Sequence, residues 1–111
     1  MSTNVFNFLI NQYSDFTITL TVTQPNKSPL NLTGYTASAS IKKSYFSSVS
    51  YPFTVEFVNR TSGIIALKMS NTQTSLLSGG RYVYDVIITD SNLKKTRAFE
   101  GIVTVMEGVT P

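Results

Sequence analysis

Phe16-Thr17-Ile18-Thr19-Leu20-Thr21-Val22-Thr23 alternates a large apolar side chain with a threonine at every step. Successive side chains of a β-strand point to opposite faces, so this stretch has one apolar face and one hydroxylated face, a segregation that a 3.6-residue period would scramble. It reads as a strand of a half-buried antiparallel sheet. The pattern then recurs along the chain, and the recurrence decides the fold class.

Upstream, Phe6, Phe8 and Ile10 alternate along 5–10. Downstream, Gln24-Pro25-Asn26-Lys27-Ser28-Pro29 is turn chemistry, because its prolines cannot donate to a ladder. Gly34 allows a bend into a strand over 35–41 with Tyr35, Ala37, Ala39 and Ile41 on one face. The small alanines predict a bulky neighbour from a facing sheet, Phe53 or Tyr84. A serine-rich loop follows at 44–50, then strands at 51–57 and 64–69. The stretch 70–77 is the one short helix expected, capped by Ser70 and ended by Gly79-Gly80. Strands over 81–89 and 93–106 close the chain. In the first of these Tyr82, Tyr84, Val86 and Ile88 share one face while Val83 and Ile87 lie on the other, the mark of a central strand. Glu100-Gly101 suggests a bulge in the last.

About seven short strands with closely spaced turn signals predict an all-β, immunoglobulin-like antiparallel β-sandwich. A chain of 111 residues buries roughly two-thirds of its unfolded surface, which supports one domain over 1–111. The expected core comprises Ile18, Leu20, Ala37, Ala39, Phe53, Val55, Tyr84 and Val86.

Composition narrows the function. The net charge is +3, but the Lys and Arg residues are dispersed and adjacent pairs on a strand point to opposite faces. No basic stripe forms, so nucleic acid is not an expected partner. Histidine and cysteine are absent, and with them the commonest bases, metal ligands and thiol nucleophiles. The carboxylates Asp15, Glu56, Asp85, Asp90, Glu100 and Glu107 show no spacing that gathers them. Asp85, between apolar neighbours, reads as a solvent-facing group or an ion-pair partner. No catalytic residue, metal site or cofactor is expected, and the protein is read as no enzyme. Asp90-Ser91-Asn92 lacks the ligands of a calcium loop and reads as a turn. Asn26-Lys27-Ser28, Asn31-Leu32-Thr33 and Asn59-Arg60-Thr61 fit the glycosylation pattern, which this composition produces by chance. The opening Met-Ser-Thr-Asn-Val-Phe lacks a secretory pattern and no apolar run approaches the ~20 residues that span a bilayer. A soluble protein made in a cytoplasm, with no membrane partner, is expected.

The aromatic residues supply the candidate contact sites. Tyr45 and Phe46 stand off the strand pattern in the serine-rich loop, and with Tyr51 they could form an exposed patch. Phe6 and Phe8 could anchor a strand added to a neighbour's sheet edge.

In Leu30-Asn31-Leu32-Thr33-Gly34-Tyr35-Thr36-Ala37, Ile41-Lys42-Lys43, Gly79-Gly80-Arg81-Tyr82-Val83-Tyr84-Asp85-Val86 and Glu100-Gly101-Ile102-Val103-Thr104-Val105, the chain resembles small bacteriophage structural proteins. It looks like the immunoglobulin-like N-terminal domain of phage baseplate upper proteins and its relatives in tails and necks. Asn31 stands where that pattern commonly has an acidic residue. The resemblance covers nearly the whole chain from Asp15 to Thr110. It implies a non-enzymatic virion protein, made in the host cytoplasm, that binds other virion structural proteins in a multi-copy symmetric assembly as a tail, baseplate, neck or capsid-surface connector or decoration. The alternatives are a carbohydrate- or host-receptor-binding module with sugar-stacking tyrosines, and a bacterial protein of immunoglobulin-like fold.

Overall fold

In the computed structural model, which describes residues 4–110, the N-terminal alternation forms β1 (Asn4–Val5) and β2 (Phe8–Asn11), and the threonine-alternating stretch forms β3 (Phe16–Thr21). There follow β4 (Thr36–Lys42), β5 (Tyr51–Asn59), β6 (Ile64–Met69), the single helical turn α1 (Asn71–Thr74), β7 (Gly80–Thr89) and β8 (Lys95–Met106). Of the single domain expected over 1–111, residues 1–3 and 111 lie outside the described residues. Among the described residues no helix is long and apolar enough to cross a membrane.

The protein is nearly all β, as expected, but its strands form one curled, mixed sheet in the order β1-β8-β7-β4-β5-β6-β3, with β2 also on β8. The curl arises in β5. Its first residues, Tyr51 to Phe53, pair with β4, and from Thr54 onward it pairs with β6 instead. Pro52, which has no amide hydrogen to give, sits just before this exchange of partners. The curl brings the two ends of the sheet together, so that the ring of Phe8 on β2 stacks on that of Phe16 on β3 at 5.3 Å.

The antiparallel expectation fails at the N-terminus, where β1 and β2 run parallel to β8. No hairpin joins these strands: from β2 the chain crosses to β3 at the far end of the sheet, and β8 is reached only at the end of the chain. The predicted bulge also moves. Register slips between Val86 and Ile87 of β7, whose partners are Phe99 and Arg97, which leaves Ala98 as the extra residue. Gly101 instead makes room for the N-terminal strand. A Cβ there would lie 2.3 Å from the Phe6 carbonyl oxygen, so only glycine permits the close approach.

Of the expected core, Leu20, Ala39, Phe53, Tyr84 and Val86 are buried, and Ile18, Ala37 and Val55 pack against them partly exposed. Phe53 is nevertheless a lateral partner of Ala39 in the sheet, and Tyr84 of Ile41, so neither presses on the alanines from a facing sheet as predicted. Ser70 does cap the helix, accepting from the Gln73 amide while the Gln73 side chain accepts from the Ser70 amide, but the helix is shorter than predicted, because the amides of Leu76 and Leu77 reach back only three residues, to the Gln73 and Thr74 carbonyls. All three glycosylation-like triplets are turns of one kind. The Asn26, Asn31 and Asn59 side-chain oxygens accept from the hydroxyls of Ser28, Thr33 and Thr61 at 2.6, 2.7 and 2.9 Å, which explains the pattern as local backbone chemistry.

Candidate binding face on β4, β7 and β8

β7 lies between β8 and β4, and its alternation sorts two surfaces. Tyr82, Tyr84, Val86 and Ile88 point into the core, while Val83, Asp85 and Ile87 point out. The register then fixes their outer neighbours: Val83 lies between Lys42 and Ile102, Asp85 between Ser40 and Glu100, and Ile87 between Ser38 and Arg97. Ser38 and Ser40 are the low points. A central strand usually carries branched or aromatic side chains, and two serines in a row on one face leave a hollow instead.

That hollow is a groove of about 420 Å³. Val83 and Ile87 form its apolar side, and Lys42 and Arg97 bring cations to it. Tyr45 and Ser50, from the loop between β4 and β5, form a wall. Asp85 is not a lone carboxylate. Its Oδ2 lies 3.4 Å from Arg97 Nε, and Arg97 Nη1 lies 3.6 Å from Glu100 Oε2, as the ion-pair reading of the sequence expects. All three side chains are partly solvated, so the pairs contribute little stability and mainly fix the guanidinium in place.

The five aromatic candidates end in different places. Phe46 is 98% exposed and Tyr45 65% exposed, so the loop holds them out as expected. Tyr51 does not join them. It pairs with Ile41 at the start of β5 and packs against the core. Phe8 is half-buried against the core: its ring meets Tyr84 edge-on at 4.7 Å, Phe16 at 5.3 Å and Phe53 at 6.1 Å. Phe6 is exposed, at 40%, while its ring stacks on Phe8.

The N-terminal strand is held by polar bonds that no sequence pattern announces. Tyr84 donates its hydroxyl to the Phe6 carbonyl at 2.5 Å, and burial pushes its phenol up from the usual 10 to about 12. The Ile102 amide donates to the Asn7 side chain at 2.9 Å, and the Gln12 side chain bonds both Leu77 and Gly108. Arg60 secures the Leu-Thr-Gly-Tyr segment in a similar way, donating to the carbonyls of Leu32 and Tyr35 at 3.0 and 2.8 Å while lying over the Phe57 ring.

Among the described residues no group of His, Cys, Asp and Glu is arranged to hold a metal ion. The groove offers hydroxyls, one fixed ion-pair network, two apolar side chains and an aromatic wall, which is equipment for binding. Sequence reasoning names Tyr45 and Asp85 separately. It has no means to join them, because the groove exists only once β4, β7 and β8 are in register.

No protein-family model matches the chain, and no curated protein matches it. Among solved structures, the chain is similar to an internalin-like protein of Listeria monocytogenes, with a TM-score of 0.51 and 20% identity over 94% of this chain and 28% of that one. A family 123 glycoside hydrolase from Clostridium perfringens aligns with a TM-score of 0.46 and 13% identity over 100% of this chain and 24% of that one. The chain thus spans about a quarter of each of those proteins. At these identities the first likeness is one of fold alone.

Proposed function

We propose that this chain is a non-enzymatic structural module of a bacteriophage virion, acting as a connector or decoration that binds other virion proteins. The observation that carries the binding role is the outer face of the sheet. Val5, Leu9, Ile102 and Met106 are all exposed on that face, and Phe46 stands out of the loop beside the groove with none of the described residues over it. Soluble domains rarely leave apolar side chains clustered on one rigid face unless another molecule covers them. The virion itself is inferred from the resemblance in the order of the Leu-Thr-Gly-Tyr, Gly-Arg-Tyr-Val-Tyr-Asp and Glu-Gly-Ile-Val-Thr-Val segments.

The same reading takes the curled sheet as an immunoglobulin-like sandwich. What supports it is the pairing: β3 with β6 and β6 with the later part of β5 match the B-E-D order of such a fold, and β4 with β7 and β7 with β8 match its C-F-G order. Mass spectrometry of purified particles from the phage or prophage that encodes the chain tests the role. The protein should be present, in a copy number that is a multiple of three or six. Its absence from intact particles would refute the proposal.

A carbohydrate- or host-receptor-binding module is the second reading, favoured by one observation: the Tyr45 ring and the hydroxyls of Ser38, Ser40 and Ser50 line the same groove. Stoichiometric binding on a glycan array, lost on filling the groove, would establish it.

A further inference from the structure

We propose that the outer groove receives Phe46 of a second copy of this chain, and that the exchange is reciprocal, so that two copies pair face to face about a two-fold axis. This deepens the structural-module reading by naming the first partner as the chain itself.

The loop supplies a knob. Phe46 is 98% exposed, Val49 is exposed beside it, and the remaining loop residues are mostly serine, so no local apolar surface can cover the ring. The groove supplies a matching receptor. Val83 and Ile87 give an apolar side, the serines of β4 leave depth, and Lys42 and Arg97 stand where cations could face a ring. The chain already uses that last contact twice on its own aromatics, with Lys43 Nζ 4.6 Å from the Tyr82 ring centre and the Arg60 guanidinium 3.8 Å from that of Phe57.

The choice of a second copy as occupant rests on charge and placement. The face carries cations, Lys42 and Arg97, beside anions, Asp85 and Glu100. Arg97 already answers Asp85 and Glu100 within the chain and these four charges sum to zero, so the face selects against a strongly charged partner and suits a second copy of the same neutral face. Tyr45, next to Phe46, forms a wall of the groove, so knob and groove adjoin and one axis engages both. The exposed Leu9, Ile102 and Met106 continue the same face and widen the contact toward the roughly 800 Å² per partner of a stable interface.

Sedimentation velocity on the purified full chain, from micromolar to millimolar concentration, tests this. The wild type should pass from monomer to dimer. Phe46→Ser should weaken pairing by at least about tenfold, the loss expected of a central aromatic anchor, with an unchanged circular-dichroism melt. Ser40→Trp, which fills the groove and keeps the knob, should also prevent pairing. Mixing the two variants should restore a weak heterodimer, because one intact knob then meets one intact groove. A wild type that stays monomeric throughout, or a Phe46→Ser variant that pairs as well as wild type, overturns the proposal. So does a monomer whose groove binds a glycan and loses it on Ser40→Trp, which would give the groove to a saccharide. A wild-type monomer found in purified particles defeats the pairing alone. A dimer absent from particles defeats the virion reading alone.

Discussion

The N-terminal aromatic pair, Phe6 and Phe8, and the loop pair, Tyr45 and Phe46, both stand next to strands, yet the chain packs Phe8 against its core and leaves both rings of the loop pair open. The difference lies in what surrounds each segment. β2 completes the sheet on β8, and the curl carries β3 round to meet it, so Phe8 is enclosed by Phe16, Phe53 and Tyr84. The loop after β4 rises on the outer face, where no further layer of the described residues packs. Aromatic residues of similar size thus serve stability at one place and contact at the other, and only the closure of the sheet separates them.

The largest effect that could break this comparison is the truncation of Phe8. Phe8→Ala removes the ring that joins both ends of the curled sheet and should cost about 3–5 kcal/mol in urea unfolding, the range for a large aromatic deleted from a core. A loss within about half a kcal/mol, typical of surface sites, would put Phe8 in the same class as Phe46 and leave the N-terminal strand free for a neighbour's sheet.

How much of this can be read in the sequence depends on the range of the interaction. Strand alternation is local, so Thr17, Thr19 and Thr21 against Ile18 and Leu20, or Tyr84 and Val86 against Asp85, sort correctly without knowledge of any partner. Turn chemistry is local too, and Asp90 accepts from the amides of Asn92 and Lys94 as a turn residue should. What escapes is set by pairing between distant segments. The parallel strand on β8, the glycine that admits it and the serine-floored groove each need residues roughly forty or more positions apart to be in register. Tyr51 escapes for a smaller reason: it stands at once at the end of the serine-rich loop and at the first position of the strand expected over 51–57, and the strand's inward face, shared with Phe53, claims its ring.

A smaller effect sharpens the account of how the N-terminal strand is held. Tyr84→Phe keeps the ring in the aromatic cluster but removes the hydroxyl that donates to the Phe6 carbonyl, and should cost about 1–3 kcal/mol. Its pH dependence is the more selective readout. With the folded phenol at about 12 against 10 when unfolded, the unfolded chain releases the proton first as pH rises. The contribution is therefore complete below about pH 10, and on the order of 2 kcal/mol is lost as pH climbs to about 12. Tyr84→Phe should lack this fall, and the difference between the two curves removes the effect of every other tyrosine and lysine. Parallel curves would mean that the hydroxyl is solvated and that the strand is held without it, by its ladder on β8 and the Asn7 and Gln12 side chains.

The smallest expected effect on stability is the one that separates the two regions most sharply. At 98% exposure, the Phe46 side chain is as open to water in the folded protein as in the unfolded chain, so its removal forfeits little. Phe46→Ser should accordingly move the unfolding free energy of the monomer by no more than about half a kcal/mol, an order of magnitude below Phe8→Ala. Measured well below the concentration at which copies pair, the two variants compare the same kind of side chain inside and outside the closed sheet. Should Phe46→Ser destabilise the dilute monomer by about 2 kcal/mol or more, in the range of a buried truncation, the loop must fold back over its own groove. Phe46 would then be the plug of that groove in its own chain, and the knob would be closed to any neighbour.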